Sequence, residues 1–503
     1  MADERPRRSG LVLGLLCLAQ FLVVLDTTIV NVALPGIGAD LGFTSEAGLQ
    51  YVISLYALTF GGLMIAAGRA ADLLGRRRLL VVGLLVFTLA SLTCGAAPNA
   101  GVLLTARVVQ GVGSALVSSS ALALLTSLFA EGTARNRALG AWGAVGGGAG
   151  ACGLILGGTL TDLLGWPSIF LINVPIGLAA AWVAPRLLPA GDRGNVGLDL
   201  PGAVTLTAGL GLLILGLSQG GHAGFGADPV IGVLAGAVAL LAAFAVIQRR
   251  ASHPLVAPRL LRVPGVAAAN IAALTLTMIV ASSLFFTTLY VQQVLGLTAL
   301  QTGLAFLPNS VLVVAGSALA TRLRHRLGPG VILVAGFAIL IVAGLLLSGV
   351  SADGTYVTAV LPGFALIGFG QGMAFVAAIS GATRSVADSD HGLASGVVNS
   401  AQQVGFAVGL AAVISAAVAL AGPGARPVVS YATGYLLDSA LAAVGLLISL
   451  ALVRTRRSGK DHAPVSAVQM RAGVRIDRNG RIAFPVTGTH SASGRNENEG
   501  DMS

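Results

Sequence analysis

The sequence predicts an all-α polytopic membrane protein with fourteen transmembrane helices. Of its 503 residues, 55% are hydrophobic and only 10% are charged, whereas a soluble domain carries about 25% charged residues. The apolar residues fall into stretches of about 20, the length that crosses a bilayer as a helix. The arginines gather in alternate loops between those stretches. These observations exclude a soluble fold, which could not enclose so much apolar surface.

The stretches form two series separated by a pair of helices. The first bundle, residues 1–188, holds predicted helices at 11–35, 47–68, 79–97, 102–125, 136–161 and 168–188. The linker, residues 189–250, holds helices 7 and 8 at 199–217 and 230–248. The second bundle, residues 251–455, holds predicted helices at 266–290, 301–320, 329–349, 357–379, 393–421 and 432–453. Residues 456–503 are polar and are expected to form a disordered cytoplasmic tail.

A weak internal repeat supports this division. The loop after helix 2 runs from Gly68 to Arg78 and combines glycines, one acid and a cluster of arginines. A degraded copy follows helix 10, where Gly316 is followed by Arg322, Arg324 and Arg326 and then by Gly328. The offset of eight helices is consistent with two six-helix bundles and two extra helices, and internal repeats are typical of secondary transporters.

The arginine distribution predicts that both termini are cytoplasmic, because arginine and lysine accumulate in cytoplasmic loops. In this orientation the outside loops hold Arg426 alone, and they carry acids such as Asp40 and Asp353. The abundance of Ala, Gly and Arg, with a single lysine, suggests a GC-rich bacterial genome. We therefore expect a multi-pass protein of the bacterial plasma (inner) membrane.

Composition also excludes several functions. A formal charge of +10 would indicate nucleic-acid binding in a soluble protein, but here the charges lie in loops, so no nucleic-acid partner is expected. The only lysine, Lys460, is not part of a P-loop, which excludes an ATPase of that type. The histidines are far apart in sequence, and no metal site is predicted. We expect neither an enzyme nor a bound cofactor.

Asp26 in helix 1 is predicted to be the only carboxylate deep within a span. The other acids near spans are predicted at helix ends: Asp72, Asp162, Asp199 and Asp438. A mid-helix aspartate costs about 2.5–3.5 kcal/mol on insertion scales and is rarely present without a use. Removal from water favours the neutral carboxyl group, so Asp26 could load and release a proton. The alternative is a structural role, with Asp26 bonded to Thr27, Thr28 and Asn31.

Arg107 in helix 4 is the only arginine predicted deep within a span. At 1.5 Å per residue, Asp26 lies about 13 Å and Arg107 about 8 Å from the same end of the bundle, so the two could pair. An arginine nearby would hold Asp26 ionised until the geometry changed, which would make a proton switch. A permanent buried ion pair is the alternative. Gln110, nearly one turn deeper, extends the polar face.

The loop from Gly68 to Arg78 has two interpretations. Its arginines could serve only to fix the topology. Alternatively, Asp72 is the lone acid among the four arginines of the loop and could pair with an arginine or a helix N-terminus in one conformation only. The loop would then act as a conformational gate.

Glycines and polar side chains mark three further helices. Helix 5 is glycine-rich, and glycines three and four apart let another helix approach closely. Helices 9 and 13 carry polar side chains at Tyr290, Gln292, Gln293, Asn399, Gln402 and Gln403. Polar amides in lipid usually face the protein interior. Together with Asn31 and Gln110 they are candidates to line a cavity, or they simply hydrogen-bond between helices.

These motifs, in this order, resemble the major facilitator superfamily, and specifically its fourteen-helix drug:proton antiporters. Residues 25–35 resemble the helix 1 motif that covers the proton-linked aspartate, Asp26. The helix 4 motif implicated in proton coupling is matched by Arg107, Gln110, Gly111 and Gly113. The loop motif that gates the inward and outward states is matched by Gly68, Asp72, Gly75, Arg76 and Arg77. The resemblance covers roughly residues 11–455.

Two further motifs match with departures. The antiporter motif of helix 5 is matched by Gly153, Gly157 and Gly158, but Leu154 stands where the family often has proline. Residues 166–177 are similar to the stretch that leads into helix 6, with Pro167 where arginine is usual. The glycine spacing that close packing requires is retained.

The resemblance implies the major facilitator fold (6+2+6) and alternating access, driven by the proton gradient without a cofactor. It implies that proton entry through Asp26, coupled to Arg107, drives export of small amphipathic drugs or antibiotics. Related pumps for dicationic compounds often carry further acids in the later helices, and none is predicted here at membrane depth. We therefore expect a neutral, weakly charged or anionic substrate, a low proton stoichiometry and a monomer in the lipid bilayer.

Two other functions are compatible with the sequence. A proton-coupled importer or facilitator of a small metabolite would use the same fold, and inverted vesicles with an acidic lumen would decide the direction. A membrane receptor would bind a ligand without transporting it, although no sizeable soluble module is visible for signalling.

Overall fold

The computed structural model describes residues 4–43, 46–130, 132–189, 199–251, 254, 263–384, 386, 391–422, 424–458, 475–476 and 482–483. These residues belong to two units, Met1–Leu452 and Val453–Ser503. In the second unit, strands β1 (Arg475–Ile476) and β2 (Ile482–Ala483) pair antiparallel. Most of the tail predicted for 456–503 lies outside the described residues.

Within the described residues, fourteen helices are long and apolar enough to cross a membrane, as predicted. The first seven are α1 (Ser9–Leu41), α2 (Tyr51–Leu74), α3 (Arg76–Gly95), α4 (Ala100–Leu128), α5 (Thr133–Leu164), α6 (Pro167–Leu187) and α7 (Leu200–Gly221). The others are α8 (Asp228–Arg250), α9 (Gly265–Val294), α10 (Ala299–Arg324), α11 (Arg326–Leu347), α12 (Tyr356–Ala382), α13 (Gly396–Ala421) and α14 (Pro427–Leu450). The end of the bundle that bears Arg76–Arg78 is called the arginine-rich side, and the other end the opposite side.

The turns after α2 and α10 share one backbone feature. Gly75 has a φ of +96° and Gly328 a φ of +75°, a region that residues with a Cβ rarely adopt. At Gly75 the chain leaves α2 and enters α3 without a longer loop. At Gly328 the same backbone region interrupts an otherwise continuous helix from Leu307 to Leu347. The two loops that resemble each other in sequence therefore use glycine for the same turn.

Helix α7, one of the two predicted linker helices, packs against both series. A Cβ added to Gly62 of α2 would lie 2.8 Å from Oγ1 of Thr207 in α7. A Cβ added to Gly221 at the other end of α7 would lie 2.9 Å from the Cα of Ser415 in α13. These glycines let the helix backbones approach closely. The division of the chain into six, two and six helices stays a prediction.

The predicted placement of Asp438 at a helix end is wrong. Helix α14 begins at Pro427, five residues earlier than the hydropathy pattern indicates, and Asp438 follows eleven residues later. Proline is favoured in the first turn of a helix, where its missing N–H has no partner to lose. The first turns of α14 also contain Ser430, Thr433 and Gly434, which lower the local hydropathy and hide the start of the helix.

Candidate functional site

The two deep charges of the first series, Asp26 of α1 and Arg107 of α4, form a buried ion pair. Both side chains are 0% exposed, and Nη1 of Arg107 lies 2.6 Å from Oδ2 of Asp26. The depths calculated from the helix rise allowed this contact, and the structure shows it. Two opposite charges at this distance stabilise each other strongly, because little water separates them.

Arg107 is held by more than its carboxylate partner. Its Nε donates to the carbonyl oxygen of Val52 in α2 at 2.8 Å, and its Nη1 also donates to Oε1 of Gln110 at 2.6 Å. The guanidinium lies over the ring of Tyr56, 4.1 Å from the centroid. Its Nη2 makes no hydrogen bond to any described residue. Arg107 would therefore keep three of its contacts if Asp26 became neutral.

The other oxygen of Asp26 is bound by neutral amides. Oδ1 accepts from Nε2 of Gln110 at 2.7 Å and from Nδ2 of Asn173 at 3.2 Å. Gln110 also donates to Oγ of Ser91 in α3 at 2.6 Å. The site therefore joins side chains from α1, α2, α3, α4 and α6, together with the backbone of α2 at Val52. The sequence does not single out Ser91, Tyr56 or Asn173 as site residues, although Asn173 lies within one family motif.

The alternative partners predicted for Asp26 bond elsewhere. Thr27 and Thr28 donate to carbonyl oxygens one turn earlier in α1. Nδ2 of Asn31 donates to the carbonyl oxygens of Thr27 and Thr28 at 3.1 and 3.4 Å. Asn31 is 1% exposed. Neighbouring residues of α1 therefore do not hold Asp26. Its hydrogen-bond partners come from other helices.

The predicted gate lies at the arginine-rich end of α2 and α3. Arg76 Nε contacts Oδ1 of Asp72 at 2.9 Å, and Arg76 also donates to the carbonyl oxygen of Ala123 in α4. Arg77 donates to the carbonyl oxygen of Leu188 at 3.1 Å, just after α6. A Cβ on Gly68 would meet Ser119 of α4 in ordinary contact. The pairing of Asp72 with an arginine is present, and the role of Gly68, Asp72, Gly75, Arg76 and Arg77 as a gate stays a prediction.

The three antiporter-motif glycines of α5 lie in close contacts. Gly153 packs against the side chain of Thr28, and a Cβ on Gly157 would lie 2.7 Å from the carbonyl oxygen of Ile29. A Cβ on Gly158 would lie 2.5 Å from the carbonyl oxygen of Ala299 in α10. The glycines thus let α5 touch α1 on one side and α10 on the other. The spacing predicts a close approach of helices, but not which helices take part. The contact with α10 joins the two series.

The other half of α5 stands apart from its neighbours. Gly140, Gly143, Gly147 and Gly148 are exposed, and a Cβ on any of them would meet nothing within 4 Å. This half lies toward the arginine-rich side, since α5 begins there. Among the described residues, helices therefore pack closely around α5 on the opposite side, here called the closed side, and leave these glycines in its first half uncovered on the arginine-rich side.

Asp162 at the end of α5 strengthens the closed side. Its Oδ1 and Oδ2 accept from the backbone N–H groups of Ala299 and Leu300, at 3.1 and 2.9 Å. Ala299 and Leu300 are the first residues of α10. The next backbone N–H, that of Gln301, donates to Oγ1 of Thr298. A carboxylate at a helix N-terminus also faces the positive end of the helix dipole. The arrangement of Asp162, Ala299 and Leu300 is called the α5–α10 latch.

The predicted cavity residues of α9 and α13 have mixed environments. The Tyr290 hydroxyl donates to the carbonyl oxygen of Ser351, Gln292 donates to that of Val32 in α1, and Gln293 accepts from Tyr431. For these three, hydrogen bonds to other segments are the arrangement that the structure shows. Gln403 packs against Gly61 of α2, and Asn399 is half-buried. A cavity role for these side chains stays a prediction.

Comparison with known proteins gives one family. Residues 16–410 match the family model described as the Major Facilitator Superfamily. The chain is 42% identical over 409 residues to the cephamycin export protein CmcT of Amycolatopsis lactamdurans, covering 80% of this chain and 84% of that protein. It is also 42% identical over 416 residues to the puromycin resistance protein pur8 of Streptomyces alboniger, covering 81% of each.

Solved structures share the fold at low sequence identity. The POT family transporter PepTSo matches with a TM-score of 0.65 at 14% identity, over 90% of this chain and 99% of that one. A bacterial homolog of the human lysosomal transporter Spinster, in an inward-facing and unoccupied conformation, matches with a TM-score of 0.62 at 16% identity. That match covers 92% of this chain and 99% of the other.

Proposed function

We propose that this chain, which belongs to the Major Facilitator Superfamily, exports small amphipathic drugs or antibiotics in exchange for protons. Its curated relatives are named for cephamycin export and for puromycin resistance, which supports an exported antibiotic as the cargo. No catalytic reaction is part of the proposal, and the proton gradient is its only energy source.

The observation that carries proton coupling is the buried pair of Asp26 and Arg107. Protonation of Asp26 removes its negative charge and weakens the contact with Arg107, while Arg107 keeps Val52, Gln110 and Tyr56. The proton therefore changes the link between α1 and α4 without leaving the arginine unsupported. One charge moving down 100 mV releases about 2.3 kcal/mol, which supports a substrate gradient of about 50-fold.

We assign the arginine-rich side to the cytoplasm, because arginine accumulates in cytoplasmic loops. The uncovered half of α5 then faces the cytoplasm, and the α5–α10 latch holds α5 against α10 on the external side. In this state a substrate enters from the cytoplasm. Opening of the latch and closure of the arginine-rich side would expose the substrate to the outside, where a proton reaches Asp26. Both termini are cytoplasmic in this assignment, in a bacterial plasma membrane.

The charge of the substrate is not part of the proposal. The sequence predicts a neutral, weakly charged or anionic substrate because it places no acid at depth in the second series. The structure places Asp438 at that depth, so the absence of a deep acid cannot be used to predict the charge of the substrate.

A growth-inhibition panel tests the cargo class. The gene is expressed in a bacterial host whose own multidrug exporters are deleted, and the panel includes β-lactam, puromycin-type and lincosamide antibiotics. We expect raised resistance to at least one amphipathic compound, and efflux of that compound from preloaded cells that stops when a protonophore is added. Resistance to none, or efflux that persists without a proton gradient, would contradict the proposal.

A further inference from the structure

Asp438 is a buried carboxyl group that the Asp26 site does not use. It lies eleven residues after the first residue of α14, which at 1.5 Å per residue is about 16 Å into a membrane core about 30 Å thick. The residue is 1% exposed. It is therefore near the middle of the membrane, in the second series of helices.

No cation balances Asp438 among the described residues. Helices α9, α12 and α13 contain no charged residue. The arginines of α10 and α11 stand at the arginine-rich ends of those helices. The titratable groups within α9, α12 and α14, apart from Asp438, are phenols: Tyr290 of α9, Tyr356 of α12, and Tyr431 and Tyr435 of α14. An ionised carboxylate without a counter-charge is costly at this depth, so the neutral acid is favoured.

Two serines of α9 bind the two carboxyl oxygens. Ser282 Oγ lies 2.5 Å from Oδ1 of Asp438, and Ser283 Oγ lies 2.7 Å from Oδ2. Ser282 Oγ also lies 2.8 Å from the carbonyl oxygen of Met278, one turn earlier in α9. A hydroxyl has one hydrogen to donate but can also accept.

This arrangement can satisfy both protonation states of Asp438. When Asp438 is neutral, its own hydrogen is donated to Ser282, and Ser282 donates to Met278. When Asp438 is ionised, Ser282 turns its hydrogen toward the carboxylate, as Ser283 already does, and gives up the Met278 carbonyl. A proton can therefore be added or removed by rotating one hydroxyl, without moving a helix.

Hydroxyl groups continue from Asp438 toward the opposite side. One turn away, Tyr435 is hydrogen-bonded to Thr287 at 2.9 Å. One turn further, the Tyr431 hydroxyl donates to Gln293 at 3.0 Å, and Gln293 is exposed. Such a row gives a proton a series of polar partners between the membrane interior and the surface.

We propose that Asp438, Ser282 and Ser283 form a second proton-binding site, which exchanges its proton with water in addition to Asp26. Its use in transport rests on the proposed function, whereas proton binding itself does not. If both sites act in each cycle, two protons rather than one accompany each substrate.

Infrared difference spectroscopy of the full-length protein in lipid vesicles tests the site with the proton as the only ligand. Spectra are recorded at about pH 5 and about pH 9, a range that includes documented values for buried acids. A neutral carboxyl group has a C=O stretching band that the ionised form lacks. We expect a band in the acid-minus-alkaline difference that is retained in Asp26→Asn and lost in Asp438→Asn. An unchanged difference spectrum in Asp438→Asn would overturn the proposal.

A second pair of variants decides the question if Asp438→Asn does not fold. Ser282→Ala removes the acceptor of the carboxyl hydrogen, so the Asp438 band should shift to higher frequency. Ser439→Ala is the matched control, because Ser439 is the next residue of α14 but bonds to the carbonyl oxygen of Ile341 in α11. It should leave the band in place. Equal spectra for the two serine variants would also overturn the proposal. A transporter that proves independent of protons would contradict the proposed function while leaving this band intact.

Discussion

Arg107 connects three helices of the first series. It joins α4 to Asp26 of α1 and to the backbone of α2 at once. Removing one partner of a buried ion pair typically costs about 3–5 kcal/mol, because the other charge is left without compensation. Removing both leaves no unpaired charge. The two residues should therefore be strongly coupled in stability.

A double-mutant cycle measures this coupling. We expect Arg107→Ala to lower the free energy of unfolding by about 3 kcal/mol or more. The double variant Asp26→Asn with Arg107→Ala should be more stable than the sum of the single effects predicts, by roughly 0.5–3 kcal/mol. Denaturant unfolding of the purified protein in detergent gives the values. Arg384→Ala, which removes an exposed arginine, should change stability by no more than about 0.5 kcal/mol. Additive effects of the two site variants would show that Asp26 and Arg107 are not coupled in stability.

Single residues also show where sequence reasoning succeeds and where it stops. Asp26, Arg107 and Gln110 could be found because charged and amide side chains are rare at membrane depth. Ser91, Tyr56 and Asn173 could not, since neutral polar residues occur in many spans and only their convergence in space distinguishes them. Asp438 was misplaced because the polar first turns of α14 conceal where the helix starts. An error of five residues moved it from mid-membrane to a helix end.

Helix α5 is the element that links the two series on the closed side. The glycine spacing predicted close packing, and Gly153, Gly157 and Gly158 show it. The same spacing at Gly140, Gly143 and Gly147 is not covered by a neighbour. Periodicity indicates that a face is flat, but it does not say which helix covers that face or in which state. The α5–α10 latch was not predicted at all, because its donors are backbone groups of α10.

Loss of the latch should loosen the start of α10. In Asp162→Ala the N–H groups of Ala299 and Leu300 lose their acceptor, and hydrogen bonds to charged groups contribute about 1.5–3 kcal/mol. We expect the amide hydrogens of these two residues to exchange about tenfold faster or more, measured by hydrogen–deuterium exchange and mass spectrometry in lipid nanodiscs. Asp353→Ala, which removes another exposed acid of the opposite side, should leave that exchange unchanged. Equal protection in both variants would show that Asp162 does not hold the closed state.

At the scale of the whole molecule, the number of helices follows from the sequence with little ambiguity. Every span must satisfy its backbone hydrogen bonds internally, so apolar length alone identifies it. Which spans touch is harder to predict, because lipid-facing and protein-facing apolar side chains look alike in sequence. The sequence therefore does not predict that α7 contacts both α2 and α13, or that α5 contacts both α1 and α10. The repeated glycine turn at Gly75 and Gly328 is predictable only in part. The sequence shows that the two loops resemble each other, but it does not show that these glycines have a positive φ.

Among the described residues, helices pack closely around α5 on the opposite side and leave glycines in its first half uncovered on the arginine-rich side. In the orientation that we propose, this uncovered half of α5 faces the cytoplasm, from which the proposed cargo enters. Proton coupling then requires that Asp26 alternate between its pair with Arg107 and a protonated form. The central claim is therefore that proton movement and substrate movement share this one carboxylate.

Drug-dependent proton flux in inside-out membrane vesicles tests that claim most directly. Vesicles with an acidic lumen are loaded with a pH-sensitive dye, and an antibiotic identified by the growth panel is added outside. For the unaltered protein and for Asp40→Asn, an equal change at the exposed end of α1, we predict accumulation of the antibiotic together with a rise in luminal pH. For Asp26→Asn we predict binding of the antibiotic with neither response. Full drug-dependent proton flux in Asp26→Asn would contradict the account.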